Sequence, residues 1–307
     1  MADDIQKKLK SIRLIEQKEA KFEEYIRSTT PKIADQFKKL LRGLPTKSVK
    51  KIDADGNDVY VTVIDAANED YYKFLAELPN KLQSTLKKVG YTDKAADLTE
   101  LYGNLEGEYI ELHNDLSKIK SNKKVFSQAQ TRLNFVRQMM IDATIDSLTK
   151  TEIEAAILPE IRTALNNAAL GEASLFDTID SIGDTLAGDG EVDGIFARNA
   201  TRIARDSFYQ YQGLINQTIA NEFEMNAYRY IGSLVEESRE QCIRWSEQEY
   251  ILFSDLQDEI DWAFEQGSGM IKWTTPDTFA TYRGGWNCRH LAIPVFYSPE
   301  QTEETTP

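Results

Sequence analysis

The sequence predicts a mainly α protein: a helical N-terminal domain with a small β-hairpin insertion, followed by a compact α+β C-terminal domain. Three observations predict it. Apolar residues recur at helical spacing through most of the first 168 residues. One short β-rich stretch, 48–64, is centred on an Asp-Gly turn. Aromatic residues crowd towards the C-terminus, where 196–297 hold eighteen of the thirty-one Phe, Tyr and Trp, including all four Trp. Aromatics bury large areas per residue, so this stretch is expected to have its own core. The expected boundary near 165–170 gives a helical domain at 1–165, an α+β domain at 166–298 and a disordered tail at 299–307.

Each element has a local reason. Ile5, Leu9, Ile12, Ile15, Phe22 and Ile26 predict a helix over 5–27. Ser28-Thr29-Thr30-Pro31 is expected to end it and to cap a second helix running to about Leu41, because proline suits a first helical position. Val49–Ile52 and Val59–Val63 flank Asp53-Ala54-Asp55-Gly56-Asn57, a hairpin signal. Helical patterns follow at 69–88, 93–119, 124–148 and 151–168, with Pro79 and Pro159 expected to kink or split the first and last. Loops are expected at 171–174 and 187–191. The aromatic region reads as a helix at 195–226, a strand at 228–235 and helices at 238–248 and 254–266. A turn at Gly267-Ser268-Gly269 and strands at 270–274 and 290–296 complete it.

Composition excludes several function classes. No apolar run reaches membrane-spanning length, so no membrane partner is expected. The opening MADDIQKKLK lacks an apolar leader, so export is not expected. Two cysteines in 307 residues do not make a disulfide scaffold. The net charge of −14 argues against a general nucleic-acid coat. Charge is uneven, however: residues 1–51 carry fourteen Lys/Arg and seven Asp/Glu, or +7, which leaves −21 on the rest. This basic segment reads first as a solvated face and second as a contact for DNA.

No phosphate-binding loop, dinucleotide fingerprint, zincin motif or nucleophile elbow occurs, so no enzyme activity, catalytic residue or small-molecule substrate is expected. The acidic loop 189–194 has calcium-loop spacing, but Ala200 stands where the bidentate Glu belongs, so it reads as a surface loop. His113 has no cysteine or histidine three or four residues away and reads as a surface or packing residue. The informative constellation is Cys242, Cys288 and His290. In a strand, positions 288 and 290 face the same way, so a thiolate and an imidazole could meet one ion, and zinc accepts such ligands. A closed structural site takes four ligands, and Glu240 or Asp206 are the carboxylates considered for the fourth. Buried free cysteines, a metal site and a Cys–His nucleophile stay open, in that order.

The run Tyr282-Arg283-Gly284-Gly285-Trp286-Asn287-Cys288-Arg289-His290, followed by Ile293-Pro294-Val295, resembles the C-terminal signature of the Mu F-like head morphogenesis proteins of tailed phages. Upstream, in that family's order, stand an Arg/Thr-rich helix with Arg202 and Arg205, a strand with Tyr230 and Gly232, and an Arg239-x-x-Cys242 element. The resemblance spans about 155–298. Two positions depart: Arg239 stands for a first cysteine and His290 for a last one. The resemblance implies a structural minor head protein in the virion, near the portal vertex, made in the host cytoplasm. Its implied partners are the portal and capsid proteins, and its implied task is head assembly, DNA packaging or ejection. The two departures count against metal binding, and no cofactor is expected other than the zinc considered above at Cys242, Cys288 and His290. Gly284 and Gly285 would permit a tight turn, Asn287 would bond local backbone, and Arg289 would pair with an acidic neighbour. The rival readings are a toxin-like or nuclease domain at the C-terminus, and a DNA-binding adaptor acting through 1–51.

Overall fold

A computed structural model describes residues 2–105, 107, 123–171, 173–189, 191–266 and 269–298. His113, the second half of the predicted helix 93–119, the Gly267-Ser268 turn and the 299–307 tail lie outside these residues. The fold is mainly α, with two small antiparallel sheets. It divides into two compact units, each built from non-consecutive segments. One comprises 17–99 and 143–204, and the other 1–16, 100–142 and 205–307. The boundary expected at 165–170 therefore falls inside a unit, while the chain changes unit within helices.

In the first unit, helix α1 (Ala2–Leu41) contributes its second half. Pro31 does not end it. The buried stripe of Phe22, Ile26, Ile33, Phe37 and Leu41 stays in phase across the proline. Burying such side chains stabilises by roughly 1.5–3 kcal/mol each. That outweighs a helix-interior proline penalty of about 3 kcal/mol. Helices α2 (Glu69–Lys88) and α5 (Thr151–Leu170) likewise continue through Pro79 and Pro159. In both, buried Leu or Ile lie on either side of the proline: Leu78 and Leu82, then Ile157 and Ile161. Asn68 caps α2, its side chain accepting from the Asp70 N–H.

Strands β1 (Thr46–Ile52) and β2 (Asp58–Ile64) form the predicted hairpin, in register Thr46↔Ile64 to Ile52↔Asp58. Its loop is self-supporting. The Asp53 carboxylate accepts from the Asp55 and Asn57 N–H groups, at 2.9 and 2.8 Å, and Gly56 takes φ +84°. The base of β2, Val63 and Ile64, is buried and meets α5 and α6 (Leu175–Ala187), the latter a helix the sequence reading did not assign. Short helix α3 (Tyr91–Asp97) follows α2 and stops where 93–119 had been expected to continue.

The second unit contains the earlier part of one long helix, α4 (Lys123–Thr149, as far as 142), and the later part of another, α7 (Ile195–Glu222, from 205). Its three-stranded sheet has the order β4-β3-β5, with β3 (Ala227–Ile231) between β4 (Ile251–Leu252) and β5 (Leu291–Val295). Pro294 sits on edge strand β5 opposite Tyr228, where a missing N–H costs least. Residues 270–274, expected to be a strand, instead form a turn in which Thr274 N–H and Oγ1 both donate to Ile271 O. Both flanks of β3 are already paired, so no central place is left for them. Helices α8 (Glu240–Glu247), α9 (Leu256–Glu265) and α10 (Phe279–Tyr282) pack round a core of Tyr228, Tyr230, Trp245, Phe279 and Ala292. Gly213 lets α7 approach α10 closely, since a Cβ there would stand 2.1 Å from the Ala280 carbonyl. Asn216 donates to Ala292 O at 2.8 Å and ties α7 to β5.

Candidate metal centre

Three elements of the second unit deliver the signature side chains to one buried point. β3 brings Tyr230, α8 brings Cys242 in its first turn, and the segment before β5 brings Cys288 and His290. The donor atoms of Cys242, Cys288 and His290 all lie within 4.8 Å of one another, and all three residues are buried. The Tyr230 hydroxyl stands 3.3 Å from Cys288 Sγ and 3.6 Å from Cys242 Sγ. Cys288 Sγ is 3.8 Å from His290 Nδ1. The Tyr230 and His290 rings stack, with centroids 5.1 Å apart and planes 13° apart. His290 Nε2 is buried and has no hydrogen-bond partner among the described residues.

Close approach is written into two glycines. A Cβ on Gly284 would lie 2.4 Å from Cys242 Sγ, 3.0 Å from Tyr230 Oη and 3.1 Å from Cys288 Sγ. A Cβ on Gly232 would lie 2.5 Å from the His290 ring. A third, Gly285, takes φ +94°, and a Cβ there would strike the Gly269 carbonyl at 2.1 Å.

The loop carrying these residues is held from afar. Arg239, just before α8, donates to Gly284 O and Trp286 O, both at 2.6 Å. Gln241 adds a bond to Gly284 O at 3.3 Å. Arg283 is buried at φ +44° and donates to Tyr209 O. Asn287 takes φ +60°, and its backbone N–H donates to Asp206 Oδ1 at 2.9 Å. Asn287 thus acts through its left-handed backbone, which asparagine tolerates, and not through the expected side-chain bond to local backbone. Arg289 is exposed, with no acidic partner among the described residues.

The carboxylates considered as fourth ligands do not join the cluster. Glu240 is exposed on α8, and Asp206 faces Asn287. Arg202 belongs to the other unit and pairs with Glu152 at 3.1 Å, while Arg205 is half-buried on α7. The acidic loop at 189–194 uses its carboxylates locally: Asp189 accepts from the Glu191 and Val192 N–H groups, and Asp193 pairs with Arg27. The sequence reading named Tyr230 only as part of the family-like strand; the structure sets its hydroxyl beside both thiols.

The electrostatics separate the two thiols. The hydrogen bond from Cys242 holds Cys288 well below the usual thiol range against the opposing effect of burial, helped by His290 and the Arg283 charge. The same bond, with burial, pushes Cys242 up. Burial pushes the Tyr230 phenol up as well. The arrangement can therefore present one thiolate, one thiol, an imidazole and a phenol to a common centre. Both cysteines are free. Comparison with protein-family models, curated proteins and solved structures yields no match.

Proposed function

We propose that the chain is a structural minor head protein of a tailed bacteriophage, acting in head morphogenesis at the portal vertex and capsid interior. One observation carries the reading. The elements of the Mu F-like resemblance, separated in sequence, meet around one point of the second unit: Asp206 on Asn287, Tyr230 on both buried thiols, and Arg239 on Gly284 and Trp286. Most of the contacts they make run to backbone or to one another. That suits a signature kept for fold and assembly more than one kept for turnover. Arg239, where the family form has its first cysteine, supports this further, because its two bonds clamp the loop that a metal-bound cysteine would otherwise anchor.

The partners on this reading are the portal and the capsid protein. Contact of residues 1–51 with packaged DNA is a lesser component, because carboxylates answer several of that segment's cations: Arg27 meets Glu23 and Asp193, Lys38 meets Asp180 and Asp184, Lys39 meets Asp35, and Lys50 meets Asp58. The test is co-expression with the portal and capsid proteins of the same phage, followed by sedimentation of procapsids. The chain should sediment with portal-containing particles and be lost from particles lacking the portal. Exclusion from both overturns the role.

A further inference from the structure

We propose that Cys242, Cys288, His290 and the Tyr230 hydroxyl form a closed four-donor zinc site. The proposal does not depend on the assembly role. The argument is geometric. Tetrahedral zinc, with sulfur at about 2.3 Å and nitrogen or oxygen at about 2.0–2.2 Å, places neighbouring donors about 3.3–3.8 Å apart. The measured edges are 3.3 Å from Tyr230 Oη to Cys288 Sγ, 3.6 Å from Tyr230 Oη to Cys242 Sγ, and 3.8 Å from Cys288 Sγ to His290 Nδ1. All three fall on that scale.

Three further features point the same way. Soft thiolates with an imidazole select zinc over magnesium or calcium. Two thiolates neutralise the divalent charge, which is what a low-dielectric interior tolerates. Cys242 releases its thiol proton to solvent as the ion binds. Finally, the backbone of Gly284 packs against both sulfurs and the phenol oxygen, where a Cβ would stand only 2.4–3.1 Å from them. Arg239 and Gln241 fix Gly284 from outside, in the manner of outer-shell partners that orient ligands.

The test uses the full chain without an affinity tag, purified under reductant. Elemental analysis should find one zinc per chain. A strong chelator should lower the melting temperature, and added zinc should restore it. Replacement by cobalt(II) should give thiolate charge-transfer absorption and the intense visible bands of a tetrahedral ion. Tyr230→Phe should keep the fold yet weaken zinc binding by at least about tenfold, the scale seen even for outer-shell partners, and should shift the visible cobalt bands. Cys288→Ser should lose the ion. If that variant fails to fold, the chelator and cobalt results on the unsubstituted chain decide. The proposal is overturned if the reduced chain takes up neither zinc nor cobalt, with a melting temperature indifferent to both zinc and chelator. It is equally overturned if Tyr230→Phe binds zinc as tightly as before with an unchanged cobalt spectrum, because the site then lacks its fourth donor.

Discussion

Two turns in this molecule use the same backbone device and hold it in opposite ways. The hairpin loop at 53–57 places Gly56 at φ +84°, and its support comes from Asp53, two to four residues away. The loop at 283–288 places Arg283, Gly285 and Asn287 at φ +44°, +94° and +60°. Its support comes from Tyr209, Asp206, Arg239 and Gln241, between 43 and 81 residues away. The first turn is a local solution that its own sequence specifies. The second holds three positive-φ residues, of which Arg283 is the strained one, because the surrounding fold over-determines them.

Substitutions can break or sharpen this contrast. The largest effect is expected at Gly284→Ala, where the new Cβ meets two sulfurs and a phenol oxygen at 2.4–3.1 Å. Overpacking of this kind costs about 1–3 kcal/mol or more, and denaturant unfolding should show a loss at the upper end. Arg239→Lys comes next. It keeps the charge but cannot span Gly284 O and Trp286 O together, and should cost about 1–2 kcal/mol in the same assay.

Glu259 tests the same unit through pH. Burial raises its pKa, but bonds from Arg244, Gln248 and Trp245 outweigh that and hold the carboxyl below its ordinary 4.5. A depressed folded-state value means its contribution is complete above about pH 4.5 and is lost as pH falls through the folded value. Thermal melting of the native chain should therefore fall on acidification below that point, and Glu259→Gln should flatten the response. The smallest effect is expected at Gly56→Ala. Nothing lies within 4 Å of a Cβ there, so only the positive φ is charged, at about 1 kcal/mol. Gly56→Asn should recover most of it. A Gly56→Ala loss as large as that of Gly284→Ala would remove the distinction between the two turns.

The hairpin was legible because its determinants are neighbours in the chain. So was α2, whose expected span of 69–88 matches Glu69–Lys88, with Asn68 as its cap. The i, i+2 argument for Cys288 and His290 assumed a strand, whereas both precede β5, and with Cys242 their donor atoms lie within 4.8 Å of one another. The place of Tyr230 beside the two thiols was not legible. A tyrosine in an apolar strand reads as core, and Tyr230 is core, whereas the carboxylates that looked chemically suited face elsewhere.

What the sequence determined by itself is the element inventory: helices where apolar residues recur every three to four positions, one hairpin at its Asp-Gly turn, and an aromatic C-terminal core. Those signals act over a few residues, and so they survive reading without a structure. The tertiary structure decided the rest. It carried three helices through their prolines, because burial of a continuous apolar stripe exceeds the local penalty. It denied 270–274 a place in the sheet, because β3 already had both neighbours. It assembled each compact unit from separated segments, and it placed a phenol between two thiols. Each of these outcomes depends on partners tens of residues away, and packing energy, not local propensity, selects them.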